Sequence, residues 1–167
     1  MVTDSKGESP KGSRANLRGV NLIGVSLIDS DYHNCDLSHA NLSGCLAYGV
    51  DLTNARLEEA DLSGANLMNS NLSGAFLGGA CLKRTIFWNA NLIGADFTLA
   101  DLSEASLRDA NLAHASFVMA DLTGADLTGA NLYLADFTDA TMPDGSIYDP
   151  VAKGDGSGPS DLDNLPF

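Results

Sequence analysis

Ala120-Asp121-Leu122-Thr123-Gly124 is followed at once by Ala125-Asp126-Leu127-Thr128-Gly129, and the same phrase stands earlier as Ala40-Asn41-Leu42-Ser43-Gly44. The unit is a small residue, an Asp or Asn, a Leu, a Ser or Thr, and a Gly. Taking the Leu as the centre, centres fall at Leu17, Leu22, Leu27, Tyr32, Leu37, Leu42, Ala47 and onward through Phe137 and Met142, 26 consecutive pentads with no insertion or deletion. The residue two before each centre is Ala in most units and otherwise Val20, Val25, Ser30, Cys35, Cys45, Val50, Ser70 or Thr85. Two positions in every five therefore point inward. So regular a repeat has to be read before any helix or strand is assigned.

Neither regular element accommodates this period. A five-residue step rotates about 140° around an α-helix and would scatter the leucines over its whole circumference. In a simple strand, period two would send successive leucines to opposite faces. What remains is a chain that turns after each short extended segment. The residue two after the centre is Gly in ten units and Asn, Asp or His in ten more, Asp144 among them, the chemistry of a turn whose third residue takes positive φ. Glu59, Arg84, Leu99, Glu104, Met119 and Leu134 occupy the same position, and for those corners another turn type is expected.

Side-chain stacking sets the number of pentads in a coil. Phe97, Phe117 and Phe137 are centres spaced by 20, and Asn71, Asn91, Asn111 and Asn131 form a second series of the same spacing one position before the centre. Four sides per coil accounts for both, stacking like residues at about 4.8 Å as an aromatic column inside and an amide ladder at the edge. On these residues the chain resembles a pentapeptide repeat protein, whose repeat is A(D/N)LXX, over residues 15–149. The resemblance implies an all-β fold, a right-handed quadrilateral β-helix of four pentads per 20-residue coil and about 6.5 coils. It is closest in character to the compact cyanobacterial members. The best understood members of the family bind DNA gyrase and are proposed to mimic duplex DNA. Two features of those members are missing: the segment after Asp149 is too rich in Gly and Pro for an apolar dimerisation helix, and no loop interrupts the pentads.

Composition narrows the partners. A net charge of −13 over 167 residues argues against direct binding of nucleic acid or of an anionic membrane, and makes a basic protein surface the natural complement. Residues 1–14 contain no apolar run and read as a flexible tail, not a signal peptide. Residues 150–167, rich in Gly, Pro, Ser and Asp, read as a second tail. Three cysteines without metal-ligand or CxxC spacing suit a reducing, cytoplasmic setting.

Chemistry has little to stand on, and no catalytic, cofactor or metal residue is assigned. His33, His39 and His114 fall at corner or outward positions as solvated turn residues. Cys35 and Cys45 lie on opposite sides of the square, too far apart for a disulfide. The stacked pairs Asp31 with Asp51 and Asp101 with Asp121 have the spacing of cation sites, but Asp and Asn alternate freely at this position, which fits hydrogen bonding to turn amides better. An enzyme is not expected.

Two surfaces stand out once residues are sorted by side. Ile28, Tyr48, Met68 and Trp88 follow centres on one side at intervals of 20, with Arg108 next in line, and Leu46 and Ile86 stand on that side where Asp or Asn is usual. Such a stripe marks a surface for a protein partner or a second copy of the chain. Charge is polarised the other way: residues 15–89 carry a net −3, and residues 90–149 a net −9. Within that half Asp96, Asp101, Glu104, Asp109, Asp121, Asp126, Asp136 and Asp139 form a candidate DNA-mimicking surface. Its three coils span about 14 Å at about 4.8 Å each, a length over which duplex DNA carries about eight charges. The primary reading is a noncatalytic interaction scaffold, and the alternative is an acidic mimic that binds gyrase or another DNA-binding protein.

Overall fold

The computed structural model describes residues 14–148, so the two sequence-assigned tails fall outside the described residues apart from Arg14. Parallel bridges pair each residue before a centre with its equivalent 20 positions on, without a break from Asn16 with Asp36 to Asp121 with Thr141. One circuit therefore takes four pentads. Side one carries the centres Leu17, Leu37, Leu57, Leu77, Phe97, Phe117 and Phe137; sides two, three and four start at Leu22, Leu27 and Tyr32.

Each pentad disposes of its five backbone amides in a fixed way. The centre and the residue two beyond it donate to the following coil, as Leu37 does to Arg56 and His39 to Glu58, while the residue before the centre donates to the preceding coil, as Asp36 does to Ala15. The amide opening the next unit closes the turn onto the centre's carbonyl, as Ala40 does onto Leu37. That leaves the residue after the centre. Its N–H points at the side chain two residues earlier, and every Asp and Asn at that position, from Asn16 to Asp136, accepts it. The Asp/Asn position of the repeat is thus explained by the one amide the coils do not pair, since an unpaired N–H in a half-buried backbone is costly.

The interior is dry and narrow. Every centre from Leu22 to Leu127 is buried, and so is every residue two before a centre from Cys35 to Ala125. Two of those small residues are polar and satisfy themselves: Ser70 donates to the Leu67 carbonyl at 2.6 Å and Thr85 to that of Leu62 at 2.8 Å. Phe97, Phe117 and Phe137 stack in register with centroids 4.9 Å apart, and Phe87 meets Phe97 edge-on from the opposite side at 6.4 Å. Where Ala47 replaces Leu, an apolar cavity of about 10 Å³ remains against Leu27, Tyr32, Cys45 and Leu67, without the polar partners a water would need. The amide ladder of side four is present, with Asn91 donating to Asn71 at 3.1 Å and Asn131 to Asn111 at 3.0 Å.

The corners differ from expectation in two places. Glu59, Arg84, Leu99, Glu104, Met119 and Leu134 do not use another turn type: all six take φ between 55° and 62°, like the Asn and Gly corners. Hydrogen bonds between coils and across the turn hold these corners, as where Leu99 donates to the Val118 carbonyl and Ala100 to that of Phe97, so the left-handed conformation is imposed whatever the side chain. At the last unit the register fails. Positive φ moves from Asp144 to Gly145, Met142 donates to the Ser146 carbonyl, and Thr141 pairs antiparallel with Ile147. This hairpin lays Tyr148 over Phe137, with ring centroids 5.9 Å apart, and so covers the end of the aromatic column.

The corners give a stability test. Gly44→Ala places a Cβ in open space and costs only the left-handed strain, about 1 kcal/mol. Gly129→Ala costs more, because its Cβ would collide with the Asp109 carboxylate leaning over it from the coil before. Leu99→Gly relieves strain at φ 62° and raises the urea midpoint. Urea unfolding of the three variants reads all three signs.

Candidate interaction face

Side three gathers the apolar stripe. The column before its centres reads Ser26, Leu46, Asn66, Ile86, Ser106 and Asp126, one above another through parallel bridges. The column after them reads Ile28, Tyr48, Met68, Trp88 and Arg108. Ile28, Leu46, Tyr48 and Trp88 are between 41% and 49% exposed, while Met68 and Ile86 are half-buried between them. Arg108 is exposed and already engaged, donating from Nη1 to Asp126 at 3.1 Å.

The two aromatic residues are held from within the chain. The Asn69 amide donates to the Tyr48 hydroxyl at 2.7 Å, and the Trp88 indole N–H donates to the Ser106 hydroxyl. Their polar atoms are satisfied while part of each side chain stays open. Leu46 and Ile86 give up something for their place: Asn66 caps the Met68 amide at 3.1 Å, and neither Leu nor Ile has an acceptor to do the same for Tyr48 or Trp88.

Exposed apolar side chains are not confined to this side. Leu99 and Met119 stack at the corner after side one, 62% and 56% exposed, and Phe76 lies on side one itself. Tyr133 and Leu134, 65% and 52% exposed, sit on side four and its corner, with Tyr133 edge-on to His114 at 5.7 Å. The signal for Leu99, Met119 and Leu134 was present in the sequence: an apolar residue two after a centre has no inward direction to take.

The candidate acidic surface divides over three sides. Asp96, Asp136 and Asp139 belong to side one and its corner, Asp101, Asp121 and Glu104 to side two and its corner, and Asp126 and Asp109 to side three and its corner. Three of the eight are paired across coils: Asp101 with Lys83 at 3.1 Å, Glu104 with Arg84 at 2.8 Å and Asp126 with Arg108 at 3.1 Å. Asp96, Asp101, Asp121, Asp126 and Asp136 also accept turn amides through Oδ1, and the Oδ2 atoms of Asp101 and Asp126 are the ones taken by Lys83 and Arg108.

The histidines are not merely solvated. His33 Nδ1 lies 2.5 Å from Asp31 Oδ1, and His39 Nδ1 lies 3.1 Å from Glu59 Oε2. Of the cysteines, Cys35 and Cys45 are buried and their thiols pushed up by burial, that of Cys45 to about 11, which makes both poor nucleophiles at neutral pH.

Fold and surface together define a five-residue-periodic solenoid that spends its chain on faces. The chain belongs to the pentapeptide repeat family: eight copies of the pentapeptide repeat model match residues 15–54, 51–89, 87–117 and 105–142. Among solved structures it is similar to HetL, a pentapeptide repeat protein involved in heterocyst differentiation regulation in the cyanobacterium Nostoc sp. strain PCC 7120. That match has 35% identity and a TM-score of 0.43, over 81% of this chain and 65% of HetL. The chain thus spans just under two thirds of HetL. It is similar also to QnrB1, a plasmid-mediated fluoroquinolone resistance protein (21% identity, 80% of this chain and 84% of that one, TM-score 0.45), and to Rfr23 from the cyanobacterium Cyanothece 51142 (23%, 81% and 88%, 0.40). No curated protein is detectably similar.

The turn carboxylates make acid stability a direct readout. The Ser38 hydroxyl and amide hold Asp36 below its ordinary value of 3.8. The Thr128 hydroxyl does the same first for Asp126, with Arg108 adding to it. Burial pushes Asp101 up, but the Ser103 and Lys83 hydrogen bonds outweigh it. A carboxyl depressed in the folded state contributes stability that is complete above its unfolded value and is lost as pH falls through the folded one. Thermal melts are therefore expected to hold level from neutral pH to about pH 5 and to fall below about pH 4; a melting temperature unchanged at pH 2.5 would contradict this.

Proposed function

We propose that the chain is a noncatalytic scaffold, a right-handed quadrilateral β-helix of about 6.5 coils, that presents side three to a protein partner in the cytoplasm. The observation that carries this reading is the pair Tyr48 and Trp88, each tethered by its polar atom to the next coil and left partly open. Aromatic side chains so fixed lose little conformational freedom on binding, which is what distinguishes an anchor from idle apolar skin. The net charge of −13 favours a partner with basic groups around its contact and disfavours nucleic acid and anionic membrane. No helix among the described residues is long and apolar enough to cross a membrane.

A second reading, an acidic mimic of duplex DNA that binds gyrase or another DNA-binding protein, has the net −9 of residues 90–149 behind it. It ranks second because its eight carboxylates spread over three sides and three of them are already paired with Lys83, Arg84 and Arg108. A mimic needs its charges on one face and free.

The two readings separate experimentally. Light scattering, and pull-down with the source organism's soluble proteins, are expected to show self-association or a specific protein partner for the native chain and loss of it in the Tyr48→Ala, Trp88→Ala double variant. If the double variant behaves like the native chain in both, side three is not the contact. A gyrase supercoiling assay tests the alternative: inhibition that survives the double variant but falls on removing the unpaired acids Asp96, Asp121 and Asp136 would put the acidic mimic first.

A further inference from the structure

Stacked acceptors on side four are reconciled in different ways along its length. From Asn71 onward the residues before the centres are all Asn, and an amide can donate up or down the column, as Asn91 does to Asn71 and Asn131 to Asn111. The first bridge of this side joins Asp31 to Asp51, two carboxylates with no donor between them. The equivalent carboxylate stack on side two, Asp101 with Asp121, has Lys83 at 3.1 Å from Asp101. Among the described residues no lysine or arginine pairs with Asp31 or Asp51. Histidine fills that place instead: His33, on the same side, lies with Nδ1 2.5 Å from Asp31 Oδ1.

We propose that Asp31, His33 and Asp51 form a binding site for one divalent transition-metal ion of the zinc class. One ligand atom from each residue already lies within 4.8 Å of the other two, with His33 and Asp51 half-buried and Asp31 exposed. The backbone fixes the two carboxylates one coil apart, and Asp51 is further held by accepting the Thr53 amide at 2.9 Å and hydroxyl at 2.6 Å through Oδ1, which leaves its Oδ2 for an ion. Zinc takes nitrogen and oxygen ligands at about 2.0 to 2.2 Å, so neighbouring ligands on one ion stand about 3.3 Å apart. The His33 and Asp31 contact has only to open by about 0.8 Å, a small rotation for two side chains at the surface. The hydrogen bond between them would give way to the two bonds to the ion.

The donor set chooses the class of ion. One imidazole with two carboxylates suits zinc, nickel or cobalt, whereas calcium seeks six to eight oxygens and magnesium keeps its own waters. Three protein ligands leave at least one coordination position for water or for a group from a bound partner. This site is independent of side three, and its success or failure does not bear on the contact proposed there.

The test uses the full chain without an affinity tag. Zinc titration by calorimetry is expected to show one ion per chain, and cobalt to give the visible absorption of a low-coordinate site. His33→Ala and Asp51→Asn should each weaken zinc by about tenfold or more. Asp51→Asn keeps the Thr53 turn cap and converts the position to the Asn of the later coils, so its circular dichroism should match the native chain. His39→Ala, whose imidazole faces Glu59, should bind zinc like the native protein. The proposal is overturned by an absence of saturable zinc binding up to about 1 mM, by binding that survives both substitutions, or by equal competition from magnesium or calcium, which would mean a diffuse acidic surface.

Discussion

A backbone that turns every five residues must still account for every amide, and within the interior coils the units that carry Asp or Asn before the centre do so with four amides satisfied by other backbone and one by a side chain. The last of these is the bond from the residue after each centre to the Asp or Asn two before it, as from Ser63 to Asp61 at 2.9 Å. The rest of the molecule follows from it. Because the ladder between coils uses a single bridge on each side, no coil is stable alone and each borrows its pairing from the next. Because the capping side chain must lie flat against the corner, its neighbours at the surface are set in columns with no freedom to change side.

That rigidity determines where variation is tolerated. Inward positions accept changes of volume in both directions, the void left by Ala47 and the aromatic layer built by Phe87, and a hydroxyl only where it donates to a carbonyl, as at Ser70 and Thr85. Corner positions accept almost anything, at a conformational cost. The position before the centre is the most informative, since each departure from Asp or Asn gives up a cap. Leu46, Phe76 and Ile86 have made that exchange for apolar surface, and Cys81 for a thiol.

Much of this was legible in the residues alone. The period of five, the four sides, the phenylalanine column and the asparagine ladder all follow from spacing, because each depends on identity at a fixed interval. The corners at Leu99 and Met119 were harder: local preference argues against positive φ for such residues, and only the pairing of both flanking coils overrides it. The end at Gly145 escaped because Pro143 and Asp144 fit the pentad by position, whereas Thr141 pairs antiparallel with Ile147, a contact that position in the repeat does not encode. His33 was read as a solvated turn residue. Its contact with Asp31 is a matter of rotamer, and spacing carries no information about rotamers.

The strict correspondence of twenty residues to one circuit has a consequence for how such a chain changes in length. Loss or gain of a whole circuit shortens or lengthens the column and leaves every surface facing where it did. Loss of one pentad between Leu52 and Phe87 would leave the fold continuous but turn everything beyond it by a quarter, carrying Trp88 away from Tyr48 and mismatching small layers against large ones. The chain is thus modular in units of twenty and phase-locked within them, so that a five-residue deletion, seemingly the mildest change its repeat allows, acts as a rotation of half the molecule.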